Sequence, residues 1–241
     1  MPKAKYAEIY KDLKTKIENG TYEFQELLPS ENSLILTYDC SRNTIRRAIS
    51  DLVTDGYVQT MQGKGVRNIF QPTLQTSFTI GGIESFRESA LRNNQTPRTK
   101  VLCFTEITAD KKISDRTGFP VGARLYYLQR LHYLDGKALI LNHNYFLQDV
   151  VTSLTPEIAE HSIYEYLENT LHISIVTSKR VMTVEKMTEI DEKYLDLGDY
   201  NCLAVVSSQT YNSDGIMFEY TQSRHRPDYF RFQDNATRRS K

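Results

Sequence analysis

Ser41-Arg42-Asn43-Thr44-Ile45-Arg46-Arg47-Ala48-Ile49-Ser50-Asp51-Leu52-Val53-Thr54-Asp55-Gly56 is the stretch whose reading decides the fold of residues 1–70. Ser41 is a good N-cap, Ile45, Ala48, Ile49, Leu52 and Val53 recur on one helical face, and Gly56 supplies a left-handed stop. Arg42 and Arg46 stand four residues apart, as do Asn43 and Arg47, so a cationic face lies opposite the apolar stripe. A helix of this kind fits the major groove of DNA. Arginine there donates two hydrogen bonds to guanine, and Ser41 and Thr44, near the helix start, reach phosphate oxygens. On the helix alone, a solvated charged face of a plain three-helix bundle fits equally well.

The flanks separate the two. Upstream, Tyr6, Ile9, Tyr10, Leu13 and Ile17 have helical spacing and end at Gly20. Leu28-Pro29-Ser30-Glu31 opens a short helix, capped by Ser30 with Glu31 in its first turn, that ends near Tyr38-Asp39. Downstream, Tyr57 to Met61 and Val66 to Ile69 are strand-like runs joined by Gln62-Gly63-Lys64-Gly65. A hairpin after a third helix is a wing, with Lys64 at its tip able to lie against phosphate. Three helices and a wing predict a winged helix-turn-helix.

With these residues in view, the chain resembles the GntR family of bacterial transcription regulators. The resemblance rests on Leu28-Pro29-Ser30-Glu31, Ser41 to Ala48, Leu52 to Tyr57 and Gly63-Lys64-Gly65. It implies that Arg42, Thr44, Arg46 and the Gly63 to Gly65 turn touch DNA, and the candidate interface also takes in Ser30, Glu31, Asn32, Ser41, Asn43 and Arg47. Asn32 stands where many members carry arginine. Asparagine reads adenine, so this departure bears on sequence preference rather than on DNA binding itself.

Composition bounds the rest. The 241 residues are 39% hydrophobic and 25% charged with a formal net charge of zero, an ordinary globular composition with one locally basic stretch between Ser41 and Asn68. No apolar run is long enough to span a bilayer and the N-terminus lacks a secretory core, which predicts a cytoplasmic chain without membrane partners. The three cysteines are scattered and suggest neither disulfide nor metal site, and no cofactor is expected.

Residues 71–77, containing Pro72, are polar and aperiodic and read as a linker, leaving residues 78–241 as a second module. Its strand-like runs Arg124 to Leu134 and Lys137 to Phe146 meet at Asp135-Gly136, and Cys202 to Asn212 meets Ile216 to Arg224 at Asp214-Gly215. Ser162-Ile163-Tyr164-Glu165 has the form of a capping box, and Thr188 to Leu197 reads as a helix closed by Gly198. The predicted fold class is α+β: a winged helix-turn-helix followed by an antiparallel sheet with helices packed on it.

Ser85-Phe86, Arg130-Leu131-His132, Ser162-Ile163-Tyr164, Phe218-Glu219-Tyr220 and Tyr229-Phe230-Arg231-Phe232 resemble the UTRA effector-binding domain of the HutC subgroup, whose fold is like that of chorismate lyase. The ending His225 to Phe232 looks most like that of trehalose operon repressors. The resemblance implies a homodimer on double-stranded operator DNA, released by a phosphosugar such as trehalose 6-phosphate. A phosphate wants fixed cations and capped helix amides, which Arg130 and Ser162 offer, with Arg87, Lys179 and Arg180 as further cations. A sugar wants a carboxylate or amide and an aromatic face, for which Glu219, Asn142, Phe86 and Tyr220 qualify. Ser85 and His132 complete the candidate set. His132 replaces an arginine common in relatives and Asn142 a glutamate, implying a sugar preference unlike that of amino-sugar-phosphate sensors.

Two other readings compete: an enzyme on the lyase-like domain tethered to DNA, and a regulator of this family answering a different metabolite. The enzyme is disfavoured because the sequence offers no nucleophile–base pair or carboxylate dyad, and its five histidines have no evident partner. If Lys64 meets phosphate, Lys64→Ala should lower affinity for every DNA sequence alike and reduce the slope of log affinity against log salt by about 1. Gel shifts across a salt series would show it, and a loss confined to one operator base would contradict the role.

Overall fold

The computed structural model describes residues 5–71, 78–79 and 82–233. They form two compact units, one within the first 75 residues and one between residues 76 and 233. Residues 72–77 of the expected linker lie outside the described residues, as does the basic tail from Arg238 to Lys241.

In the first unit, α1 (Lys5–Glu18) buries Ile9, Leu13 and Ile17, one residue per turn on a single face. α2 (Glu31–Tyr38) starts where Ser30 Oγ accepts from the Ser33 amide at 3.1 Å and stops at Asp39, whose φ is 45°. α3 (Arg42–Thr54) starts where Ser41 Oγ accepts from the Thr44 amide at 3.2 Å. Each cap is worth about 1 kcal/mol. β1 (Val58–Met61) and β2 (Gly65–Asn68) pair antiparallel as the wing. Its base is sewn to the α1–α2 connection: the Leu28 amide donates to Val66 O at 2.8 Å and the Asn68 amide to Glu26 O at 2.8 Å. Leu34, Ile45, Leu52 and Val58 close one core with the α1 stripe, so helices and wing hold one geometry.

The second unit runs β3 (Phe78–Thr79), α4 (Phe86–Arg92), β4 (Pro97–Thr108), α5 (Lys111–Thr117), β5 (Arg124–Leu134), β6 (Lys137–Leu147), α6 (Pro156–Ala159), α7 (Ile163–Asn169), β7 (Ile175–Lys186), α8 (Glu189–Tyr194), β8 (Cys202–Asn212), β9 (Met217–His225) and β10 (Phe232–Gln233). Six strands form one antiparallel sheet in the order β4-β5-β6-β9-β8-β7, while β3 pairs parallel with β10. Asp135 and Gly136 both take positive φ, as the tight turn of the first hairpin requires. The second hairpin turns more widely. Asn212 Oδ1 accepts from the amides of Asp214 and Ile216, drawing Ile216 into the turn, so β9 begins at Met217 rather than at the expected Ile216.

Two helix expectations need correction. Ser162 caps Glu165, but the reciprocal bond of a capping box is seen instead at Ser85–Glu88 and Thr188–Asp191. The helix expected through Leu197 ends at Tyr194, because extended backbone from Leu195 carries Leu195 and Leu197 into the cluster with Leu131, Leu141 and Val205. Arg224 fastens this helix to the sheet: Nε donates to both Asp191 oxygens at 2.9 and 3.0 Å and Nη1 to Glu185 at 2.6 Å. The Arg224 and Asp191 side chains are 5% and 0% exposed, whereas Glu185 is 41% exposed. Removing one partner of a buried pair strands the other, so Asp191→Ala should cost about 3–5 kcal/mol, whereas Glu185→Ala should cost at most about 1 kcal/mol. Paired urea melts would test this; equal losses would refute it.

Candidate functional site

Two sets of side chains carry chemistry, one in each unit. In the first unit, α3 presents Arg42, Asn43, Arg46 and Arg47 as exposed residues, and Lys64 is exposed at the wing tip. The first turn of α2 reaches across to α3. Arg46 Nε donates to both Glu31 oxygens at 3.1 and 3.2 Å, Arg42 Nη2 donates to Asn32 Oδ1 at 2.9 Å, and Arg42 Nε lies 4.0 Å from Glu31 Oε2. Ser30 and Ser41 spend their hydroxyls on caps, and Thr44 Oγ1 lies 2.8 Å from Ser41 Oγ. Arg47 turns the other way, its guanidinium 3.8 Å from the Tyr6 ring centroid and donating to the Tyr6 hydroxyl at 3.1 Å. That stacking ties α3 to α1 and separates Arg47 from Arg42 and Arg46. Gly63 and Gly65 have φ of 71° and 104°, which keeps the wing turn tight behind Lys64.

In the second unit a cavity of about 580 Å³ opens on one face of the sheet, roofed by the start of α4 and the α6–α7 segment. Register explains its wall. Asn144, Thr221, Ser208 and Arg180 stand in one row across β6, β9, β8 and β7, and the next row brings Arg130, Asn142 and Ser223 together. Strand alternation sends the intervening residues to the opposite face, where α5 and α8 pack.

Arg130 is the centre of the wall. Its Nε donates to Asn144 Oδ1 at 2.9 Å, and Nη1 lies 3.5 Å from Ala159 O. No ion pair to Arg130 occurs among the described residues. Burial pulls its guanidinium down to about 10, with Glu219 and Tyr164 opposing, so it remains charged at neutral pH. The network continues: Asn144 Nδ2 donates to Thr221 Oγ1 at 2.6 Å, Thr221 to Glu219 Oε1 at 2.7 Å, and Tyr164 to Glu219 Oε2 at 2.8 Å. Beside it, Asn142 Nδ2 donates to His132 Nε2 at 2.9 Å, which leaves the neutral ring its proton on Nδ1 to donate to Thr99 Oγ1 at 2.9 Å. Phe86 lies against the same imidazole, ring centroids 4.3 Å apart. Asn142 Oδ1 is buried with no protein partner. Arg180 donates to Gly82 O at 2.8 Å.

Ser85, Phe86, Arg87, Arg130, His132, Asn142, Ser162, Arg180 and Glu219 all line this cavity. Tyr220 does not. It points to the other face and packs with Phe119, Leu125 and Tyr145, because its neighbours Glu219 and Thr221 face the cavity. Lys179, one position from Arg180, likewise lies over Tyr211 instead. Sequence reading missed Arg98, Lys100, Glu160, Tyr164 and Thr221 in the lining. Tyr164 was legible as the residue following Ser162-Ile163; the others lie on segments with no motif of their own.

A winged helix bearing an arginine face, followed by a domain built around a polar cavity, defines a DNA-binding transcription regulator with an effector-binding domain. Residues 5–67 match the bacterial regulatory proteins of the gntR family and residues 92–231 match the UTRA domain, and the chain belongs to this family. It is 36% identical over 234 residues to the HTH-type transcriptional regulator TreR of Bacillus subtilis (strain 168), covering 97% of this chain and 98% of that protein. It is 26% identical to the regulator GmuR of the same organism, covering 94% and 95%. Among solved structures, the effector binding domain of the B. subtilis trehalose repressor (TreR) superposes with a TM-score of 0.54 at 35% identity, covering 59% of this chain and 99% of that one. The possible transcriptional regulator YydK from B. subtilis shares the fold across 97% of this chain and 99% of that one, with a TM-score of 0.81 at 21% identity. These relatives are named as regulators, not enzymes. No helix among the described residues is long and apolar enough to cross a membrane.

The histidines of this unit give it a pH dependence. Burial, with Arg130 and His225 adding to it, holds His132 well below its ordinary range. Burial, with Arg116 and Arg224, holds His143 at about 4, and burial alone takes His225 to about 3. The unfolded chain protonates these rings below about 6.5 while the folded one does not, so stability is complete above that pH and falls as pH drops toward 4. Each buried ring should cost about 2 kcal/mol by pH 5. Thermal melts from pH 8 to 5 should show falling stability, with a shallower fall in His225→Asn; a flat profile in the unmodified protein would contradict it.

Proposed function

We propose that this protein is a cytoplasmic homodimeric repressor that grips a pseudo-palindromic operator through two copies of the winged helix and releases it on binding a phosphosugar, trehalose 6-phosphate above all. The observation that carries the effector reading is Arg130, a buried guanidinium on the cavity wall whose protein partners are neutral oxygens. A permanent charge in that setting is costly unless an anion completes it. Arg87, Arg98, Lys100 and Arg180 add cations around the same cavity, while Glu219, Asn142, Thr221 and Ser223 offer the mixed donors and acceptors that sugar hydroxyls need. The volume of about 580 Å³ is in the range that holds a ligand of disaccharide size. Likeness to a trehalose repressor in both the whole-chain and effector-domain comparisons supports trehalose 6-phosphate among phosphosugars.

On DNA, Arg42 and Arg46 read bases, while Thr44, Ser41 and Lys64 lie against phosphates. Symmetric pairing of effector domains sets the spacing of the two half-sites, and ligand moves that spacing by binding the two states unequally.

The test separates DNA binding from sensing. Arg130→Ala should bind operator as the parent does, yet fail to release it at trehalose 6-phosphate concentrations that release the parent. Losing a charge-assisted contact of roughly 1.5–3 kcal/mol should raise the half-release concentration tenfold or more. Unphosphorylated trehalose should leave the parent on DNA. Titrations of a fluorescent operator complex read all three; release of the mutant at the parental concentration would place the phosphate elsewhere.

A further inference from the structure

The resemblance leaves Asn32 as a substitute reader of DNA, but its side chain is already engaged. Adenine is read by an asparagine amide acting bidentately, the carbonyl accepting from the base N6 amino group and the amino group donating to N7. Asn32 Oδ1 instead accepts from Arg42 Nη2 at 2.9 Å. Reading adenine would require giving up that bond.

The same bond defines what Arg42 offers. A guanidinium has a side-on edge, Nε and one Nη, and an end-on edge formed by both Nη groups. Asn32 and Glu31 face the side-on edge of Arg42: Nη2 donates to Asn32 and Nε lies 4.0 Å from Glu31. Glu31 in turn occupies Nε of Arg46 through both oxygens, at 3.1 and 3.2 Å. Both arginine side chains remain more than half exposed, at 57% and 61%. Exposed pairs of this kind add little to fold stability. Their consequence is geometric: two long side chains that would otherwise sample many rotamers are held with their end-on forks presented outward from α3. Ordering such side chains before DNA arrives removes a cost that binding would otherwise carry.

We infer that Asn32 is a positioning residue that determines operator specificity by orienting the Arg42 fork, acting with Glu31, and that it reads no base itself. This rests on the reading that Arg42 contacts a base. Positioning needs only the Oδ1 acceptor, whereas adenine reading needs Nδ2 as well, and the two are separable by substitution.

The experiment uses the full chain and the duplex it selects from a random library, with a scrambled duplex of equal length as the non-specific reference. Operator and reference affinities are measured for the parent, Asn32→Ala, Asn32→Asp, Arg42→Ala and the Asn32→Ala/Arg42→Ala double variant, with melting temperatures showing that each is folded. Asn32→Ala should lower the operator-to-reference ratio about tenfold without changing the salt slope, and should add nothing to Arg42→Ala. Asn32→Asp, which keeps the acceptor and loses the donor, should retain the ratio within about threefold even though its added charge lowers both affinities. An Asn32→Ala loss fully additive with that of Arg42→Ala, a collapsed ratio in Asn32→Asp, or an unchanged ratio in Asn32→Ala each overturns the inference while leaving Arg42 as a reader. An unchanged ratio in Arg42→Ala overturns the underlying reading instead.

Discussion

A guanidinium buried without a carboxylate is among the least tolerable arrangements in a protein interior, and the second unit is organised around one. Arg130 keeps its charge only because Asn144 and the Ala159 carbonyl accept from it and Glu219 stands within electrostatic reach. Those partners come from β6, the α6 end and β9, and each is usable only if the strands hold register to the residue. The chain Arg130–Asn144–Thr221–Glu219–Tyr164 therefore ties two sheet neighbours and α7 to one charge. The apolar clusters on the opposite face supply the stability that lets one face remain polar.

Much of this was legible in the sequence, and the boundary between legible and not follows interaction range. Local chemistry wrote itself plainly: the Ser30 and Ser41 caps, the α3 stripe and the Asp135-Gly136 turn each depend on residues within one or two turns of each other. The edge strands β4 and β7 escaped because an edge alternates weakly; most of β7 is exposed, so its polar and apolar residues follow no simple period. The end of α8 escaped because a distant apolar cluster, not local propensity, pulls Leu195 and Leu197 out of the helix.

The candidate site shows the same division at finer grain. Residues lying in recognisable motifs, such as Ser85-Phe86-Arg87 and Arg130 with His132, do meet in the cavity. Naming Glu219 and Tyr220 together could not succeed for both, since neighbours on a regular strand face opposite sides. Lys100 and Glu160 join only through β4 pairing and the α6 turn, contacts that no spacing announces.

Alternation along the strands also limits how such a sensor can evolve. Inserting or deleting one residue in β6 or β9 would exchange the faces of everything beyond it, presenting Tyr145 or Tyr220 to the cavity and driving Asn142 or Glu219 into the apolar layer. Length changes in these strands are thus closed to selection, and new ligand preferences must arise by exchange at every second position. His132 and Asn142, neighbours bonded across β5 and β6, are two such positions. A lineage of regulators can diverge widely in what it senses while its sheet remains unaltered in length and register, because the variable letters and the fixed ones occupy opposite sides of the same strands.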